Sequence, residues 1–190
     1  MEDMRNTVEG RLAASMKRLA VKMPFEKITI KQLTDGAGVI RVTFYNHFRD
    51  KYDLLEWIVK TEILDSARNL ISNKMFREAV VLIFANMQKD KEFYMHVVNM
   101  EGQNSFSEIV DSAIQSLLLS LLNEEGVRKN FAYEWMKPEY VAAYYAKAMS
   151  YVVIMWIRMG MKFDPEEMGR VYEYMTTRSF WDIIEGMQEE

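Results

Sequence analysis

With 190 residues, 49% of them hydrophobic, the chain is long enough to bury a core and spans one or two domains by length. It holds no cysteine, which excludes disulfides, thiol nucleophiles and cysteine-ligated metals. The net charge is −4, yet residues 1–51 carry ten Lys or Arg against six Asp or Glu, a net +4 that leaves −8 for the rest; a basic head on an acidic body suits phosphate binding at one end, where affinity follows the local patch.

In chain order, Val8, Leu12, Met16, Leu19, Ala20 and Met23 recur at helical spacing up to Pro24 and predict a first helix, onto which Phe25 and Ile28 pack back. Thr29 is placed to cap a second helix carrying Ile30, Leu33 and Ala37, which Gly36 and Gly38 are expected to stop. A third helix starts near Ile40, with Val42, Phe44 and Phe48 as its apolar members. Its polar members are Arg41, Thr43, Tyr45 and His47, groups that reach phosphates and base edges. Two short helices about a glycine turn make a helix-turn-helix, whose second helix lies in the major groove of DNA.

Asp50 suits a helix N-cap, and Tyr52, Leu54, Leu55, Ile58, Val59, Ile63 and Leu64 predict one long helix running to about Ile71, a lever between the head and the body. Further helices are expected over residues 76–86, 91–100, 105–122, 138–159 and 165–186, with Pro138 and Pro165 in first turns and Ser105 and Glu108 spaced as a capping box. Residues 100–104 and 123–137 read as loops, the second one capping a pocket. With no repeat and no strand-like alternation, the fold class is all-α: a three-helix DNA-binding unit over residues 1–50 and a helical effector-binding and dimerisation domain over residues 51–190.

The run Gly38-Val-Ile-Arg-Val-Thr-Phe-Tyr-Asn-His-Phe-Arg-Asp-Lys-Tyr-Asp-Leu-Leu55 resembles the signature of TetR-family transcriptional regulators, in which a turn Gly-Val leads into a recognition helix ending Tyr-x-His-Phe. The resemblance implies that Thr43 and Tyr45 face the groove, that Tyr45 and His47 contact phosphate, that Lys51 opens the next helix beside the DNA backbone, and that Thr29 adds a phosphate contact. With Arg41 and Phe44, these residues form the candidate DNA-contact set: Thr29, Arg41, Thr43, Phe44, Tyr45, His47 and Lys51. Two positions depart from the family pattern. Ile40 stands where a Ser or Thr usually caps the recognition helix, a loss of about 1 kcal/mol, and Val42 replaces a small or polar residue, although it can touch a thymine methyl.

The segments 52–62, 91–94 and 101–106, the last reading Glu101-Gly-Gln-Asn-Ser-Phe106, are similar to a TetR subgroup that includes the activator of dihydroxyacetone kinase operons. The alternative function that this leaves open is an activator or adaptor with the helix-turn-helix fold, working through a protein coactivator. The family resemblance also implies that the last two helices pair with those of a second subunit, and a twofold homodimer is what two recognition helices need to reach half-sites a helical turn apart.

Sixteen methionines and an aromatic content of 13% suit an adaptable cavity in a helical bundle. Trp57, Tyr94, His96, Met100, Asn104, Tyr144, Tyr145 and Met149 are the candidate effector contacts, and the effector is a small molecule or protein of unread identity. His96 also reads as a histidine satisfied by a backbone carbonyl, and Gln103-Asn104-Ser105 as the cap of the next helix. Two histidines and no glycine-rich phosphate loop or nucleophile elbow leave catalysis without its parts, so no catalytic residue, metal or cofactor is expected. No signal-peptide pattern is present, and the apolar stretch over residues 148–161 is interrupted by Arg158 and falls short of the ~20 residues that span a bilayer. A cytoplasmic protein without a membrane partner is expected.

Overall fold

A computed structural model describes residues 6–102, 104–124, 133 and 135–188. Its elements are α1 (Val8–Ala20), a 3₁₀ turn (Phe25–Lys27), α2 (Ile30–Ala37), α3 (Arg41–His47), α4 (Lys51–Trp57), a π-helical segment (Ile58–Leu64), α5 (Asp65–Ser72), α6 (Phe76–Lys89), α7 (Lys91–Val97), α8 (Phe106–Glu124), α9 (Pro138–Arg158), α10 (Pro165–Thr177) and α11 (Phe180–Gln188). No strand occurs among the described residues.

The head consists of α1, α2 and α3. Its core is Leu12, Met16, Leu33, Phe44 and Phe48, all buried, so that α1 lies along α2 while α3 folds its aromatic side inward. Helix α1 ends at Ala20, one turn short of the apolar stripe, and Met23 packs on the core from outside the helix.

From Lys51 to Ser72 the chain stays helical but changes its pitch midway, with the π-helical segment between α4 and α5. Such segments frequently sit at functional sites because they re-aim side chains without breaking the helix. In the body, α8 packs along α9 and α6 along α10, with the π-helical segment reaching α8 and α6. Ser105 Oγ accepts the Glu108 N–H at 3.3 Å and opens α8.

Two expectations are corrected. Residues 165–186 form two helices, not one, because Arg178 adopts extended backbone and a new cap follows: the Ser179 N–H donates to Asp182 Oδ2 at 2.9 Å and the Asp182 N–H to Ser179 Oγ at 3.2 Å. Gly36 does not stop α2 but lies inside it. A Cβ there would stand 2.3 Å from Ser15 Oγ, so its smallness is what lets α1 and α2 approach.

Helix α9 is long and apolar enough to cross a membrane by length and composition, with a mean hydropathy of 1.2. One face of it belongs to the core, with Ala142, Ala146, Val153, Ile154, Trp156 and Ile157 buried, while Tyr144 and Tyr151 on it are exposed. Most of the loop over 123–137, and Gln103, lie outside the described residues.

Candidate DNA interface and ligand cavity

The reading head begins with a closed capping box on α2. Thr29 Oγ1 accepts the Gln32 N–H at 3.2 Å, and the Thr29 N–H donates to Gln32 Oε1 at 2.9 Å. Gly38, with φ of 66°, terminates the helix in the left-handed region, and the Val39 N–H returns to the Thr34 carbonyl at 3.0 Å. That turn sets the angle at which α3 departs. Ile40 occupies its N-cap with no side-chain hydrogen bond.

Along α3 the exposed and buried positions separate sharply. Ile40, Val42 and Tyr45 are 70%, 65% and 48% exposed, Arg41 is exposed, and Thr43 is half-buried. Arg41 folds onto Tyr45, with Nη2 3.1 Å from the hydroxyl and the guanidinium carbon 5.5 Å from the ring centroid. His47 Nδ1 lies 2.9 Å from Glu9 Oε1, tying the end of α3 to α1. A backbone amide bond, together with the nearby His47, holds the Glu9 carboxyl below its ordinary value despite its partial burial.

Two members of the sequence-derived contact set take other roles. Phe44 is fully buried, packing 5.8 Å from Phe48 and edge-on to Tyr45, so it is a core anchor beyond the reach of DNA. Lys51 turns inward: its ammonium donates to the carbonyls of Phe25, Glu26 and Ile28 at 2.9, 2.7 and 3.1 Å and lies over the Phe25 ring at 5.2 Å. All three N–H donors are thus used on one turn. Desolvation pushes its pKa down, against the opposing pull of Glu26 and Asp50. Lys51 braces α4 to the head and is not a free phosphate ligand.

A second brace lies nearby. Lys17 of α1 pairs with Glu62 of the π-helical segment and with Asp90 at the α6–α7 junction, the latter at 2.7 Å. Lys17, partly buried, thus joins Lys51 in linking head and body.

Inside the body lies an apolar cavity of about 70 Å³. Val59, Ile63 and Leu64 of the π-helical segment form one wall, and Val80, Phe84, Val110, Ile114, Val153 and Tyr172 form much of the remainder. The Tyr172 hydroxyl donates to the Met149 carbonyl, and burial pushes its pKa up. The lining therefore offers aliphatic and aromatic surface with no free charge.

Of the eight expected effector contacts, only Met149 lines this cavity. Tyr94 is fully buried elsewhere, against Phe93 and Phe106, and Met100 is core. Trp57 packs edge-on to Phe48. His96 and Asn104 are exposed, His96 with Nδ1 2.7 Å from the Glu92 carbonyl, and Tyr144 and Tyr145 point outward at 69% and 44% exposure. Branched aliphatics line the cavity instead. Their sequence signal was an apolar stripe on several helices, which any filled core shares.

A three-helix head with a glycine-turned second pair, mounted on a helical body, has the architecture of a helix-turn-helix protein. Residues 13–58 match the family described as bacterial regulatory proteins, tetR family, and residues 75–178 match a transcriptional regulator C-terminal region of the same family. The chain belongs to the TetR family, and is a transcription factor, not an enzyme. It is 17% identical over 138 residues, 73% of each chain, to the HTH-type dhaKLM operon transcriptional activator DhaS of Lactococcus lactis. The solved structure of the dihydroxyacetone kinase operon activator DhaS shares its fold, with a TM-score of 0.53 and 16% identity over 87% of this chain and 90% of that one. NalD, described as the secondary repressor of the MexAB-OprM multidrug efflux pump in Pseudomonas aeruginosa, is equally similar, with a TM-score of 0.53 and 15% identity over 87% of this chain and 92% of that one.

Proposed function

We propose that the chain is a homodimeric regulator whose head, residues 1–50, binds double-stranded operator DNA in the cytoplasm and whose body, residues 51–190, pairs two subunits and takes up an effector that tunes this binding. The observation that carries this reading is the run of residues 51–72. At its start Lys51 is locked to the head through three carbonyls, and in its middle the π-helical segment walls the cavity. A ligand that fits one pitch of this segment better than another shifts the head by that difference in affinity. The cavity's lining selects a small aliphatic or monoaromatic ligand over a charged one.

Arg41, Thr43, Tyr45 and His47 are the proposed polar contacts with DNA, with Thr29 at the start of α2 beside the backbone. Dimerisation is assigned to α9, α10 and α11, where Tyr144, Tyr151, Met175, Phe180 and Trp181 are 69%, 66%, 53%, 72% and 71% exposed. To test the reading, binding to the chain's own promoter region is followed by fluorescence anisotropy while small apolar compounds are titrated in. Compounds that bind the body are expected to change operator affinity. Compounds that bind yet leave it unchanged would refute the coupling.

A further inference from the structure

Two aliphatic side chains at the start of α3 are open to solvent. Ile40 and Val42 are exposed to 70% and 65%. Between them Arg41 folds back onto Tyr45, 3.1 Å from its hydroxyl. One exposed aliphatic residue needs no explanation. Two flank the first position of the helix that the fold offers to DNA, on a head whose residues 1–50 carry a net charge of +3 that draws it to a polyanion.

The apolar group that a base pair displays in the major groove is the C5 methyl of thymine. We infer that Ile40 and Val42 read thymine methyls, so that each half-site carries thymines beneath the start of α3. This rests on the DNA-binding reading above and specifies what it recognises. Selectivity comes from both sides. A methyl pressed against Ile or Val sheds water from two apolar surfaces, worth roughly fourfold in affinity for each contact. A cytosine amino group or guanine oxygen in the same place loses its water and gains no partner, which disfavours it.

The test begins by selecting duplexes from a random library with the full chain. Each thymine of the enriched site is then replaced by deoxyuridine, which lacks only the methyl, and affinity is measured by anisotropy at fixed salt. One or two replacements per half-site are expected to weaken binding roughly threefold to fivefold each. The double variant Ile40→Ala, Val42→Ala is expected to bind thymine and deoxyuridine duplexes equally. Its melting temperature should match the parent's, since neither side chain is in the core. Affinity indifferent to every deoxyuridine, or a double variant that keeps full methyl sensitivity, overturns the inference and leaves DNA binding standing. Enrichment of no duplex overturns the DNA-binding reading and this inference together.

Discussion

Adjacent aromatic residues on α3 carry opposite burdens. Phe44 is fully buried and Tyr45 is 48% exposed. Replacing Phe44 by Ala should cost about 3–5 kcal/mol, seen as a large fall in the urea midpoint, with DNA binding lost only because the head unfolds. Tyr45→Ala should leave the midpoint nearly unchanged and weaken operator binding about tenfold in a salt-matched titration. Gly36 supplies a third residue-level case. Gly36→Ala should destabilise by about 1–3 kcal/mol, and adding Ser15→Ala should recover most of this loss, because the offending atom is a buried Ser15 hydroxyl that has no hydrogen-bond partner among the described residues.

Acid should act on the head through Glu9. Its folded pKa lies below the ordinary 4.5, so its contribution is present above that value and is lost as the pH falls through the lower folded one. The urea midpoint should therefore fall less between neutral pH and a pH below 4.5 in Glu9→Gln than in the parent.

At the scale of elements, the DNA-facing motif was legible because its chemistry is local: a Thr cap, a left-handed glycine and an aromatic helix sit within residues 29–51. The π-helical segment was not, since Ile58, Val59, Ile63 and Leu64 show the same apolar recurrence in either pitch. The break before α11 did leave a trace, Ser179 and Asp182 at capping-box spacing, but the apolar stripe running across it obscured it. A cavity has no sequence pattern of its own. It is the space left by residues that each look like core, and weighting methionine and aromatic residues led to the surface tyrosines of α9 instead. The void can be probed directly. Val80 lines it while Val97 is fully buried away from it. Val80→Ile should stabilise by up to about 0.8 kcal/mol in thermal melts, whereas Val97→Ile should destabilise by about 1–3 kcal/mol.

At the scale of the molecule, ten of the twenty large apolar side chains exposed among the described residues lie on the last three helices, and α11 buries none of its residues. On the proposed dimer, Tyr144→Glu combined with Tyr151→Glu should yield monomers in sedimentation equilibrium where the parent gives dimers. Operator affinity should fall with it, because two half-sites are then no longer held by one particle. The fold class and the order of the helices followed from periodicity, but the exposed apolar face became visible only once α8 was seen to cover just one side of α9.

Three of the four tryptophans are distributed as separate optical probes. Trp156 is 2% exposed and stands edge-on to the cavity residue Phe84 at 4.6 Å, Trp57 abuts Phe48 of the head, and Trp181 is 71% exposed on the last helix. A blue-shifted emission from Trp156 should be quenched or sharpened by ligand uptake. Trp181 should shift from red to blue as subunits associate, and Trp57 should respond when the head turns. Variants that keep one indole at a time would let fluorescence time the three events independently, and so establish whether uptake in the body precedes movement at the DNA or follows it.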